Sequence, residues 1–232
     1  MASSFDQVGT LTKTVADARI LLDVISGYDP NDSQSDKKAD IKDFLVPSNI
    51  PASEIRIAVP NEAFNEALDP RMETLFRQKI EELKSLGYQV EFVDFPILKQ
   101  VIPVYYMLIS AEVTSNLSRF DGVRFGLQKE MSDFSSLQEY YTAVRSEGFG
   151  NEVKKRLLLG NYLVSHENYE KYYAKALKAR KRIQSEFSKF FQQYHAMVMP
   201  MTPTPAIRIG EKTNDSLLMY LEDLYSVTAN LA

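Results

Sequence analysis

The sequence predicts an α/β protein in which parallel strands are joined by a helix. Residues 55–59 (IRIAV) and 88–95 (YQVEFVDF) are predicted strands, because apolar and polar side chains alternate in them and a proline follows each. Between them, Asp69 and Pro70 begin a helical pattern that Gly87 ends, and its predicted buried face is formed by Met72, Leu75, Phe76, Ile80 and Leu83. A strand–helix–strand unit of this kind normally joins parallel strands by a right-handed crossover.

Length and composition indicate a globular, mildly acidic chain. It has 232 residues, 44% of them hydrophobic, which is enough for a substantial core. The 27 Lys and Arg against 31 Asp and Glu give a net charge of −4, which argues against nucleic acid or an anionic membrane as the main partner. The chain has no cysteine and only two histidines, far apart, so thiolate chemistry is excluded and no metal site is predicted.

No segment predicts a membrane span or a secretion signal. The most apolar run, residues 101–111, is about half as long as a bilayer span requires. The N-terminal MASSFDQVG has neither a basic nor an apolar signal region. We therefore predict a cytoplasmic protein without a membrane partner.

Two stretches precede the first strand. Thr14, with Asp17 three residues on, is a predicted helix N-cap, and Gly27 ends the apolar segment that follows. Residues 28–53 are rich in Asp, Ser, Asn and Lys and contain three prolines. We interpret them as a surface excursion of the domain, with one short turn at 41–45.

Three elements are predicted after the second strand. Residues 97–116 are a helix with Pro103 near its start. Residues 118–126 (SRFDGVRFG) are an ordered turn, for which a structural ion-pair loop and a functional loop are equally open. Residues 196–200 (AMVMP) are a short third strand.

The C-terminal region predicts one more helix. Asp215 or Ser216 caps it, and its apolar positions run to Leu224. The chain then stops at the apolar VTANLA. Because natural C-termini are usually polar and frayed, we expect a truncated chain.

Residues 145–191 are the longest and most irregular helical tract. Its second half places apolar or aromatic residues on one helical face, which we predict to be core: Tyr169, Tyr172, Tyr173, Ala176, Ile183, Phe187, Phe190, Phe191 and Tyr194. Its first half carries a basic cluster at 154–156 and an apolar run, 157–159, closed by Gly160. Arg156 either points inward between apolar neighbours or faces solvent with the two lysines. The pattern alone favours solvent, because charge runs usually lie on solvated faces.

Without the resemblance described next, the sequence motifs do not indicate a catalytic activity. Neither a Gly-rich phosphate loop nor a G-x-S-x-G nucleophile elbow is present. Serines are plentiful, but none has a base at an interpretable distance, and a hydroxyl without an activating base is a poor nucleophile.

Five segments resemble the amidase signature family. They are ASSFDQVG (2–9), AEVTSNLSRFDGVRFG (111–126), RSEGFGNEVKKRLLLGNY (145–162), MPMTPTPA (199–206) and GEKTNDSLLMYLEDLYSVTANLA (210–232). RFDGxRxG followed by RSEGFGxEVKxR is similar, more narrowly, to the amidase subunits of glutamyl-tRNA(Gln) amidotransferases. The resemblance runs nearly end to end.

The resemblance implies a fold and an activity. Residues 1–232 would be the C-terminal portion of an amidase domain, a central mixed sheet flanked by helices that is incomplete without its N-terminal half. The activity would be that of a glutaminase that supplies ammonia to the partner B and C subunits for amidation of Glu-tRNA(Gln) in translation. ATP and Mg would be used by the partner, with no cofactor in this chain. Two alternatives stay open: a non-catalytic module that docks on the partner and, more weakly, a general amide hydrolase.

The resemblance also implies where glutamine binds. The family's Ser–cis-Ser–Lys triad lies in a segment preceding ASSFDQVG that this sequence lacks, so we expect no catalytic residue in this chain and no activity from it alone. Glutamine recognition maps to Arg156, Asp223 and Tyr105, with Tyr106 as a close competitor for Tyr105. An arginine can grip the α-carboxylate of an amino acid, and an aspartate can neutralise its ammonium.

Overall fold

Three parallel strands form the sheet in a computed structural model that describes residues 1–33, 35–36, 50–210 and 220–232. The strand order is β2–β1–β3, with β1 at Arg56–Pro60, β2 at Gln89–Val93 and β3 at Ala196–Met197. β1 pairs with β2 along its whole length and with β3 at two positions, Ile57 and Ala58. The predicted α/β class is confirmed, and the pairing of the first two strands is parallel as expected.

Helices cover both sides of this sheet. In the described ranges they are α1 Val15–Ile25, α2 Pro70–Ser85, α3 Val101–Asn116, α4 Leu137–Gly148, α5 Asn151–Val164, α6 Ala174–Phe190 and α7 Val227–Leu231. None of these helices has the length and apolarity that a bilayer span requires.

Helix α2 forms the crossover between β1 and β2. The Asp69 carboxylate accepts the backbone N–H of Arg71 at 2.8 Å, so it caps the helix as predicted. Phe76 and Ile80 are buried, as expected from their spacing. Leu75 was also expected in the buried face but is exposed, because the helix turns it about 100° away from Phe76.

Helix α3 lies at the centre of the core. Its buried residues are Val101, Val104, Leu108, Ile109, Ser110, Ala111 and Val113. The helices α5, α6 and α7 all pack against it. The apolar end of the chain is therefore buried structure rather than a frayed tail, since Val227 and Leu231 of α7 are in the core.

Gly160 does not end an element, contrary to the sequence-based prediction. It lies inside α5, at the point where this helix meets α3. A Cβ built on Gly160 would lie 2.1 Å from the carbonyl oxygen of Ser110 and 2.1 Å from the hydroxyl of Thr114. Glycine is required here because the two helices approach too closely for any side chain.

The predicted tract at 145–191 is divided into separate elements. It contains the end of α4, all of α5, a π-helical turn at Tyr169–Tyr173 and α6. In α6 the predicted face is correct, and its members Ala176, Ile183, Phe187 and Phe190 are buried. Outside α6, the prediction that Tyr169, Tyr172 and Phe191 are core residues is wrong, because all three are exposed. The wider π turn changes the angular register of the two tyrosines, and Phe191 lies beyond the last helical residue.

Some predictions fall outside the described residues or differ at element ends. The predicted turn at 41–45 and the N-cap at Asp215 or Ser216 are not described, so the surface excursion at 28–53 stays a prediction. Leu224 lies in a turn rather than in a helix. β3 is shorter than the predicted 196–200, because only its first two residues pair in register with β1.

The SRFDGVRFG segment (118–126) is an ordered turn, as predicted. The Asp121 carboxylate accepts backbone N–H groups of Val123 at 2.9 Å and Arg124 at 3.0 Å, and it pairs with the Arg124 side chain at 3.3 Å. These contacts match the structural ion-pair interpretation. The functional interpretation of this loop stays a prediction.

Asp121 is expected to titrate far below an ordinary aspartate. The two backbone N–H groups, followed by the Arg124 side chain, hold the pKa of its carboxyl at about 2 against an ordinary 3.8. Because this pKa is lowered on folding, the stabilisation is fully present above pH 3.8 and is lost as the pH falls through about 2. Carboxyl carbon chemical shifts followed by NMR from pH 6 downward measure it directly. A midpoint near 3.8 would contradict the described hydrogen bonds.

Candidate functional site

The residues predicted to recognise glutamine come from three separate elements. Tyr105 lies in α3, Arg156 in α5, and Asp223 in the turn before α7. Because α5 and α7 both pack on α3, the fold brings these side chains together around the tyrosine pair Tyr105–Tyr106.

Arg156 points inward, as the resemblance implies and contrary to what the charge pattern favoured. Its side chain is only 18% exposed, and its guanidinium carbon lies 5.6 Å from the centre of the Tyr106 ring. Its Nε donates to Glu152 at 3.1 Å. Partial burial opposes the charge, but the Glu152 hydrogen bond and carboxylate outweigh it, so the pKa of Arg156 is raised. A permanent cation therefore lies beside the Tyr106 ring.

Asp223 forms a hydrogen bond with the same residue, Tyr106. The Tyr106 hydroxyl donates to Asp223 Oδ2 at 2.7 Å. Burial, and then the neighbouring Asp223 carboxylate, raise the pKa of Tyr106 well above its ordinary value. Tyr106 is therefore a neutral hydrogen-bond donor that fixes the orientation of Asp223.

The two tyrosines have different surroundings. The ring of Tyr105 packs edge-on against Phe5 with centroids 5.4 Å apart, and burial raises the pKa of its hydroxyl. Tyr106 contacts both charged residues and packs on Tyr220 with centroids 4.3 Å apart. Of the two candidates, Tyr106 therefore lies at the centre of the arrangement.

A cavity of about 410 Å³ opens beside Tyr106, between α3 and α5. It is lined by Ile102, Pro103, Tyr106, Ser110, Lys155, Arg156, Leu159 and Tyr220. This volume lies within the range of small-molecule sites, and the lining mixes apolar walls with a few polar groups, as such sites do.

Ser110 and Tyr220 are cavity residues that the sequence-based reasoning missed. Ser110 is 1% exposed, and its hydroxyl has no hydrogen-bond partner within the described part of the chain. It lies four residues after Tyr106, so the helical period places the two side chains on one face of α3. That spacing could have identified Ser110 once Tyr106 was chosen over Tyr105.

Tyr106→Phe is expected to destabilise the fold by about 1–2 kcal/mol, since it removes a half-buried hydrogen bond to a carboxylate. Urea unfolding monitored by circular dichroism measures the loss. Tyr141→Phe in α4, which also removes one tyrosine hydroxyl but lies outside this cavity, is the control. Equal effects of the two substitutions would show that the Tyr106–Asp223 bond contributes nothing specific.

The structure is an α/β domain in which a cation, Arg156, and a carboxylate, Asp223, contact the same tyrosine beside a small cavity. The chain belongs to the amidase family: the family model described as Amidase matches residues 1–232. This agrees with the resemblance of the five sequence segments.

Named relatives are components of one kind of enzyme. The chain is 44% identical to the A subunit of glutamyl-tRNA(Gln) amidotransferase from Azotobacter vinelandii, over 100% of this chain and 47% of that protein. It is 42% identical to the corresponding protein of Methylacidiphilum infernorum, which has the same name, over 100% of this chain and 46% of that protein.

A solved structure supports the same relationship. The crystal structure of the glutamyl-tRNA(Gln) amidotransferase A subunit from Thermotoga maritima matches with a TM-score of 0.73 at 34% identity, covering 100% of this chain and 44% of that chain. The chain therefore spans about half the length of the relatives it matches.

Proposed function

We propose that this chain is the glutamine-binding portion of the amidase subunit of a glutamyl-tRNA(Gln) amidotransferase. The observation that carries the proposal is that Arg156 and Asp223 both contact the side chain of Tyr106, and that Arg156 and Tyr106 line one cavity. A free amino acid presents one carboxylate and one ammonium, and Arg156 and Asp223 have the complementary charges.

The roles of the residues follow from their charges. The Arg156 guanidinium binds the α-carboxylate, because a planar fork of N–H donors suits two carboxylate oxygens. Asp223 binds the α-ammonium, and the Tyr106 hydroxyl holds the Asp223 carboxylate in place. Both ends of the backbone are then fixed, so the side-chain carboxamide projects away from them towards the nucleophile.

The chemical step belongs to groups that this chain does not supply. Hydrolysis of the carboxamide adds water and releases ammonia and glutamate, and the Ser–cis-Ser–Lys triad implied by the resemblance lies in the portion of the relatives that the chain does not span. The B and C subunits would receive the ammonia in the cytoplasm, and the partner would use ATP and Mg to amidate Glu-tRNA(Gln).

The proposal is tested by completing the domain. We would co-express this chain with the portion of the Azotobacter vinelandii relative that has no counterpart in it, and measure ammonia released from glutamine. We expect release by the pair and none by either part alone. A captured, folded pair without activity would overturn the proposal. Capture of the partner B protein without glutamine binding would instead favour a docking module.

A further inference from the structure

Ser110 lies at the inner end of the cavity beside Tyr106. Among the described residues that line this cavity, Ser110 alone is buried, at 1% exposure, whereas Leu159 on the facing helix is 42% exposed. The Ser110 hydroxyl has no hydrogen-bond partner within the described ranges of the chain. A ligand that fills the cavity would therefore meet this hydroxyl at its inner end.

A buried hydroxyl without a partner is unfavourable for folding, because it has lost its hydrogen bonds to water and gained none in return. A serine inside a helix can avoid this loss by donating to the carbonyl oxygen four residues earlier. Ser188 in α6 does so, with its hydroxyl 2.9 Å from the carbonyl oxygen of Gln184. Ser110 does not make the corresponding bond to Tyr106. Its hydroxyl can therefore donate to a ligand.

Two other donor groups at this cavity already have partners. The Tyr106 hydroxyl donates to Asp223, and Nε of Arg156 donates to Glu152. A ligand can then use only the two terminal nitrogens of the Arg156 guanidinium. A carboxylate has two oxygens with about four acceptor sites, so these nitrogens leave acceptor sites that a hydroxyl can fill.

We propose that the Ser110 hydroxyl donates a hydrogen bond to the ligand carboxylate that Arg156 binds. Tyr106 lies four residues before Ser110 on the same face of α3, and its ring centre is 5.6 Å from the Arg156 guanidinium carbon. Both donors therefore border the same cavity. The inference rests on the proposed function, because it assigns this carboxylate to the α-carboxylate of glutamine.

Ser110 would then contribute to specificity for a carboxylate. A ligand without this group would leave both the hydroxyl and the guanidinium unpaired in a partly buried place, and a site built on hydrogen bonds discriminates strongly against such a ligand. An ordered water is the alternative partner of the hydroxyl. In that case Ser110 would have no effect on binding.

Three ligands separate the charged groups of glutamine. They are glutamine itself, the monoamide of glutarate, which lacks the ammonium, and γ-aminobutyramide, which lacks the carboxylate. The Kd of each for the full chain is measured by NMR chemical-shift titration. Ser110→Ala is expected to raise the Kd of glutamine and of glutarate monoamide about 10-fold, because each loses a hydrogen bond to its carboxylate. The Kd of γ-aminobutyramide should not change.

Ser115→Ala is the matched control. It removes an exposed hydroxyl from the same helix, outside this cavity, and should change none of the three Kd values. Ser110→Ala should not lower the thermal midpoint of the chain, because the hydroxyl that it removes has no partner within the described residues. A purely structural role of Ser110 would not weaken the carboxylate ligands selectively at undiminished stability.

The outcomes of these titrations are distinct. The inference is overturned if wild type and Ser110→Ala bind glutarate monoamide equally, which is the result expected for a hydroxyl that bonds only to water. It is also overturned if Ser110→Ala weakens all three ligands alike, or if wild type binds none of them. Equal binding of glutamine and glutarate monoamide by wild type would contradict the role of Asp223 in the proposed function. The effect of Ser110→Ala on glutarate monoamide would still decide this inference.

Discussion

Arg156→Ala is expected to raise the KM for glutamine about 100-fold in the completed glutaminase. A charge-assisted bond between a partly buried arginine and a carboxylate is worth several kcal/mol when one partner is removed, and each 1.4 kcal/mol is a factor of ten. The kcat should change less, because the residue holds the substrate backbone rather than the reacting carboxamide. Steady-state kinetics of ammonia release measure both quantities.

Two neighbouring substitutions make this prediction specific. Arg156→Lys keeps the charge but loses the planar fork, so we expect a smaller effect of about 10-fold. Lys154→Ala removes a cation two residues away that lines a different cavity, between α4 and α5, and should leave KM unchanged. If Arg156→Ala and Lys154→Ala gave the same KM, the assigned role of Arg156 would be wrong.

Gly160→Ala is expected to destabilise the fold by about 3 kcal/mol or more. The added Cβ would lie 2.1 Å from the Ser110 carbonyl oxygen, and this backbone atom cannot move unless α3 and α5 separate. Separation would also shift Arg156, one turn earlier in α5, away from Tyr106. The free energy of unfolding from urea titration, and the midpoint of thermal unfolding, measure the loss.

Gly9→Ala is the matched control for this substitution. A Cβ at Gly9 has no neighbour within 4 Å, and its φ lies outside the left-handed range. Its effect should therefore remain within a few tenths of a kcal/mol. A Gly160→Ala variant as stable as Gly9→Ala would disprove the close approach of α3 and α5.

The local signals in the sequence were sufficient for α2 and for the first two strands. Asp69, Pro70 and Gly87 define α2 through cap chemistry, and alternation defines β1 and β2, so the α/β class and the parallel crossover followed. The residue pattern alone was not sufficient to identify the side chains of the candidate glutamine site. Arg156 has the same sequence surroundings as its neighbouring lysines, and only the resemblance indicated that it points inward.

Tertiary structure decided the features that depend on residues distant in the chain. Gly160 has the local signature of an element end, yet its role is set by Ser110 and Thr114 in another helix. The choice of Tyr106 over Tyr105 depends on Asp223, which lies 117 residues from Tyr106. The sequence by itself determined α1, α2 and the first two strands, because alternation and caps act within a few residues. Which faces those segments bury, and which side chains meet at the cavity, depend on packing between segments that no local pattern records.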